Sequence, residues 1–255
     1  LSDRRLRREE VQATVGRAYC GFIDVGYLRA QGSRACGIPG GQAQLQASAC
    51  VDWLQIVLPH QAAGFAGLSF LRAYWYDGAL EPHHAGSSEQ RHVFDGIAFT
   101  PGVQLRLGHL AERRTNRLQR PIEQAMRSAA GDLGIGADEL VAAFNRHWTW
   151  RPERQQKGVD TLITLDMVRL AQSGAFHTAV LLAGDRDLAE PVRTAQDAGC
   201  RVIVATVGGQ ASLAKELAQL ADEVIEIPQD SLAAMVTGPT RSRPAQSRAA
   251  EPTEQ

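Results

Sequence analysis

No stretch of this sequence stays apolar for the ~18 residues that a membrane-spanning helix needs. Neither sign of charge dominates: 27 Lys and Arg stand against 28 Asp and Glu, for a formal net charge of −1. That balance neither suggests nor excludes a nucleic-acid partner, since a local basic patch can act inside a neutral protein. Cysteine is sparse, with four residues and no C-x-x-C pair, which argues against a zinc site or a thioredoxin-type centre. Cys20 and Cys200 sit in apolar runs and read as buried thiols. So few cysteines fit a reducing cytosol. The basic start, Leu1 to Arg8, is followed by no apolar stretch of the signal-peptide kind, so a cytoplasmic location is expected. There is no Walker motif and no G-x-G-x-x-G, which weakens nucleotide-cofactor readings, and no G-x-S-x-G elbow or Cys–His pattern for covalent catalysis.

What is present is a run of short apolar segments ending at turn residues. Strands are predicted at Tyr19–Ile23, Leu68–Tyr76, Val103–Leu107, Thr178–Ala183, Arg201–Thr206 and Glu223–Ile227. Helical spacing lies between them, at Val51–Leu58, Ile122–Ala130, Asp138–His147, Thr161–Ser173, Leu188–Ala198 and Ser212–Ala221. Strands alternating with helices predict an α/β fold with a mostly parallel central sheet and helices on both faces. Residues 1–16 read as a polar arm, 17–236 as the globular domain, and 237–255, rich in Pro, Arg, Ser and Glu, as a disordered tail.

The chemistry lies in the acids. Ligands of open parallel sheets bind beyond the carboxyl ends of the strands. Asp24 and Asp185 each follow directly on an apolar strand, and Asp77 ends another. Asp187 opens the next helix, and Asp160 sits where a loop becomes the helix Thr161–Ser173. Carboxylates gathered at one spot repel each other unless a cation neutralises them. An all-oxygen set suits Mg2+ or Mn2+, which can lower the pKa of a bound water and offset charge on a phosphate. Asp160 and Asp187 have a plainer alternative as helix N-caps. Asp166, roughly 240° around a helix from Asp160, does not share its face and reads as a partner for an arginine such as Arg169.

Three segments taken together resemble a known family: Phe22-Ile23-Asp24, Lys157-Gly158-Val159-Asp160 and Ala183-Gly184-Asp185-Arg186-Asp187. In that order they resemble the NYN domain family of the PIN-like nuclease superfamily, which includes the bacterial LabA-like proteins. Tyr74-Trp75-Tyr76-Asp77-Gly78 and Ala221-Asp222-Glu223-Val224-Ile225 echo it further. The resemblance implies a Rossmann-like PIN sheet, an acidic pocket binding Mg2+ or Mn2+, and RNA as the usual substrate. Carried over by position, Asp24, Asp160, Asp185 and Asp187 match the catalytic acids, with the first three as metal ligands. One departure stands out: the first motif commonly reads Asp-x-x-Asn, and here Tyr27 occupies the Asn position.

Basic residues alternate with aromatics just before Asp160. Arg151, Arg154 and Lys157 could contact phosphates, while Trp148 and Trp150 either stack on a base or, as large aromatics more often do, fill the core. The run Gly208-Gly209-Gln210-Ala211-Ser212 precedes a helix, so Ser212 either helps hold a phosphate there or simply caps it. The expectation is thus a metal-dependent endoribonuclease-like hydrolase acting on single-stranded RNA, with no membrane partner. The alternatives are a catalytically weak RNA-binding or regulatory module of the same fold, supported by Tyr27, and a phosphohydrolase acting on small compounds. A homo-oligomer is compatible with the sequence, which selects no assembly.

Overall fold

The structure is a computed structural model that describes residues 17–39, 42–113, 120–147 and 153–238. Strand β1 (Ala18–Asp24) is buried along its whole length. Its alternation sends Tyr19 and Ile23 into one core and Cys20 and Phe22 into another on the opposite face, as a central strand covered on both sides requires. The chain continues through α1 (Val25–Ala35), β2 (Gln44–Leu45) and α2 (Ala47–Asp52), which runs through a π-turn at Trp53–Val57 into α3 (Leu58–Gln61). Next come β3 (Ser69–Ala79), α4 (Ser87–Ala98) and β4 (Val103–Arg113), then a pair of helices, α5 (Arg120–Leu133) and α6 (Ala137–His147). The rest alternates: β5 (Glu153–Lys157), α7 (Val159–Gln172), β6 (Thr178–Leu182), α8 (Ala189–Asp197), β7 (Arg201–Thr206), α9 (Lys215–Leu220), β8 (Glu223–Glu226), α10 (Gln229–Met235) and β9 (Val236–Thr237).

Seven strands form one sheet in the order β5-β4-β3-β1-β6-β7-β8. All neighbours are parallel except β4 and β5. Counting only the parallel members, the spatial order is third-second-first-fourth-fifth-sixth, the doubly wound Rossmann arrangement. The order reverses between β1 and β6, so the crevice at their carboxyl ends is the place where such sheets bind ligands. Asp24 ends β1, and Asp185 lies just past β6. The α/β class and the mostly parallel sheet expected from the sequence are therefore observed.

Helix α7 explains much of this packing. Val159, Ile163, Met167 and Ala171 are all buried, four residues apart, and form one stripe against Phe22, Tyr74 and Tyr76. The chain turns from β5 into α7 through Gly158, whose φ of 77° favours glycine. Helix α7 thus starts at the level where β3 ends, because Lys157 pairs with His109 and His109 pairs with Ala79.

Strand β5 departs from expectation. Its sequence, Glu-Arg-Gln-Gln-Lys, carries no apolar alternation, so no strand is predicted there. It forms because β4 runs past the end of β3, and the overhang at His109–Arg113 offers an unpaired edge. Helices α1 and α4 also go unpredicted. Val236–Thr237 pairs antiparallel with Gln44–Leu45. The expected arm, residues 1–16, and positions 239–255 of the expected tail lie outside the described residues. Among the described residues no helix is long and apolar enough to cross a membrane.

Candidate functional site

Asp24 is both a strand end and a helix cap. The Gly26 and Tyr27 amides donate to its Oδ1 at 2.8 and 3.2 Å, opening α1. Among the described residues no hydrogen bond is made to Oδ2. The residue is 9% exposed. Burial pushes its pKa up from 3.8 to about 6, and the charges of Asp160 and Asp77 push the same way against the two amides. Asp160 stands in the first turn of α7, and its pKa is also raised, by burial first and then by Asp185 and Asp187. Asp185 accepts from the Asp187 amide at 3.1 Å and so caps the 3-10 turn Arg186–Leu188.

Three separate parts of the chain thus bring acids close enough to oppose one another's ionisation. Among the described residues no three Asp, Glu, His or Cys side chains are arranged to cage a metal by themselves. The donor set is nevertheless all carboxylate, which fits a hard divalent cation that keeps part of its water shell.

Asp77 belongs to the same edge but is already paired. It is 5% exposed, and Arg29 and Gln156 donate to its two oxygens at 2.9 Å each, with the Gly78 amide at 2.8 Å. Gln156 lies across the strand ends: a Cβ on Gly26 would come within 2.4 Å of its Oε1. Gln156 and Arg29 are the structural partners of the site that sequence reasoning missed. Gln156 sits on the unpredicted strand, and Arg29 is one turn past Asp24 on an unpredicted helix. Asp166 is buried on α7 and is occupied by other partners. It accepts from Arg106 at 2.8 Å, Arg169 at 3.1 Å and the Tyr76 hydroxyl at 3.2 Å.

Tyr27 and Ser212 are joined to each other. Their hydroxyls bond each other at 2.9 Å, and the Val207 amide donates to the Tyr27 oxygen at 3.3 Å. Ser212 also donates to the Gly209 carbonyl at 2.9 Å. A Cβ on Gly184 would lie 2.5 Å from the Tyr27 ring and 2.7 Å from the Ser212 carbonyl oxygen. Glycine is therefore required next to Asp185 for Tyr27 to lie across the end of β6. The Ser212 helix start is a correction. Residues Gln210–Ser212 form an isolated 3-10 turn and α9 begins at Lys215, so Ser212 neither caps that helix nor stands at its N-terminus. The backbone leaves the turn in extended form at Leu213, which breaks the helix.

Lys157 ends β5, exposed, three residues before Asp160. Arg154 pairs through its backbone with Glu112, and its side chain lies outside the described residues, as do Arg151, Trp148 and Trp150 altogether.

The family model of the NYN domain matches residues 110–228, a span that includes Asp160, Asp185 and Asp187. A protein of Sinorhizobium fredii described as "Uncharacterized protein y4oD" is 50% identical over 48 residues, a stretch covering 19% of this chain and 22% of that protein. No solved structure gives a significant match.

Proposed function

Residues 110–228 belong to the NYN domain family, within the PIN-like nuclease superfamily, and from that premise we propose that this protein is a metal-dependent ribonuclease-like hydrolase that cleaves phosphodiester bonds in single-stranded RNA. What supports the reading is the position of Asp24 and Asp185 at the carboxyl ends of neighbouring strands at the switch point, with the pKa of Asp24 and of Asp160 raised first by burial and then by nearby acids. A cluster strained in that way favours a bound cation. Asp24, Asp160 and Asp185 would hold Mg2+ or Mn2+, partly through water, and the ion would supply an acidified water and offset charge on the phosphate.

The chain's own side chains do the rest. Asp187, on the exposed 3-10 turn, orients the attacking water. Lys157, together with Arg154 and Arg151, takes the phosphate oxygens of the strand as it approaches Asp160. Tyr27 and Ser212 act through each other: their bond holds the turn after β7 against Gly184 and thereby fixes the backbone that presents Asp185.

The test is cleavage of labelled single-stranded RNA with Mn2+ by the wild type and by Asp185→Asn. Cleavage by the wild type and its loss in the variant support the reading; equal cleavage by both overturns it. A second reading, RNA binding without turnover, rests on Tyr27 standing where an amide is usual, and RNA retained by the wild type without any cleavage selects it.

A further inference from the structure

Strand β5 brings one more oxygen to the acidic edge. The side chain of Gln156 runs across the ends of β3 and β1 through space that two glycines leave open. A Cβ on Gly78 would lie 3.1 Å from the Gln156 Cγ, and one on Gly26 would lie 2.4 Å from its Oε1. Neither glycine has a positive φ, so the backbone does not require glycine at either place. The same point beside Gly26 is 3.2 Å from Asp24 Oδ1, which makes the amide oxygen and the first acid near neighbours.

The partners of the carboxamide fix which way it faces. Its Nε2 donates to Asp77 Oδ1 at 2.9 Å, and a carboxylate paired with Arg29 can only accept. The oxygen is thereby turned toward Gly26 and Asp24. Among the described residues no donor reaches that oxygen, and none reaches Asp24 Oδ2. Gln156 is partly buried, and neither oxygen is sealed inside the protein. Two such acceptors beside each other call for a donor or a cation from outside the chain. Among the described residues no three acidic, His or Cys side chains cage a metal by themselves. A neutral amide oxygen adds a ligand without adding to the repulsion among the acids, and carbonyl oxygens suit Mg2+ and Mn2+.

We infer that Gln156 is a neutral oxygen ligand of the metal site, its Oε1 taking the divalent ion directly or through one of the ion's waters. The inference rests on the metal reading of the acidic edge and adds to it a residue outside the four matched acids. The two ends of the amide then do different work. Nitrogen ties the side chain to the end of β3, and oxygen is presented beside Asp24. The backbone of Gln156 is set by its pairing with Leu110. Gln156 stands four residues before Asp160, so one short link through Gly158 carries both groups to the edge.

The experiment is calorimetric titration of Mn2+ into the full chain as wild type, Gln156→Leu and Gln156→Glu. Nuclear magnetic resonance follows the side-chain NH2 of Gln156 during titration with Mg2+, which is diamagnetic; either variant assigns the signal. The NH2 resonances should move in step with uptake. Gln156→Leu, which keeps the stem and removes the oxygen, should bind Mn2+ about tenfold more weakly. Gln156→Glu keeps an oxygen and loses the N–H that holds Asp77, and it should bind at least as tightly as the wild type. A residue that merely clamps Asp77 gives the opposite order, with glutamate no better than leucine. That order overturns the inference, as do an unmoved NH2 signal during uptake and equal binding by a folded Gln156→Leu. Should a variant fail to fold, the NH2 signal of the wild type and the other variant decide. Uptake by the wild type alongside any of those adverse results sinks only the role of Gln156. No uptake of either ion by the wild type sinks the metal reading of the edge and this inference with it.

Discussion

Replacing Asp24 by asparagine should make this protein more stable at neutral pH. The wild-type carboxyl has its pKa raised from 3.8 to about 6, chiefly by burial. At about 1.4 kcal/mol per pH unit, ionising it inside the fold costs on the order of 2–3 kcal/mol. Below about pH 4 the group is protonated in folded and unfolded chains alike, so the cost is absent. Between about 4 and 6 the folded chain keeps a proton that the unfolded chain has released, so stability falls as pH rises. Above about 6 the whole cost is present. Asparagine carries no charge and caps a helix about as well as aspartate, so the bonds from the Gly26 and Tyr27 amides survive the change. Urea denaturation of both proteins across pH 4–8 measures the difference directly. The variant should gain roughly 2 kcal/mol at pH 7.5 and lose that advantage toward pH 4. A variant no more stable than wild type at pH 7.5, or an advantage independent of pH, would refute the reasoning about Asp24.

Asp166→Ala should destabilise the fold by about 3 kcal/mol in the same assay, because it strands the Tyr76 hydroxyl and Arg106. Asp166→Asn should leave manganese uptake unchanged, since the Asp166 carboxylate is taken up by Arg106, Arg169 and the Tyr76 hydroxyl. Gly184→Ala should cost about 1–3 kcal/mol by thermal denaturation, because its methyl group has no room beside the Tyr27 ring and the Ser212 carbonyl. It should also lower RNA cleavage by shifting the backbone at Asp185.

The parts of the fold that could be read in the sequence are those where burial dictates residue type. β1, β6 and β7 are covered on both faces, so they are near-continuous apolar runs, and Arg201–Thr206 is found at its predicted limits. The strand-end acids were legible because parallel topology delivers every carboxyl end to one edge. What was hidden depends on contacts distant in sequence. β5 has polar residues throughout and exists because β4 overhangs its neighbour. It carries Gln156 onto Asp77, so that strand-end acid is bound by Arg29 and Gln156. Tyr27, read as a departure from the motif, has its partner Ser212 on a turn 185 residues away. No local pattern could pair them.

The most direct test of the acidic edge as a metal site is calorimetric titration of Mn2+ into the wild type at pH 5.5 and pH 7.5, with Asp24→Asn and Asp160→Asn alongside. The ion must displace the proton that Asp24 holds up to about pH 6, so wild-type affinity should be higher at pH 7.5, and both variants should bind more weakly. Absence of manganese uptake by the wild type, or uptake indifferent to pH and to both substitutions, contradicts the account.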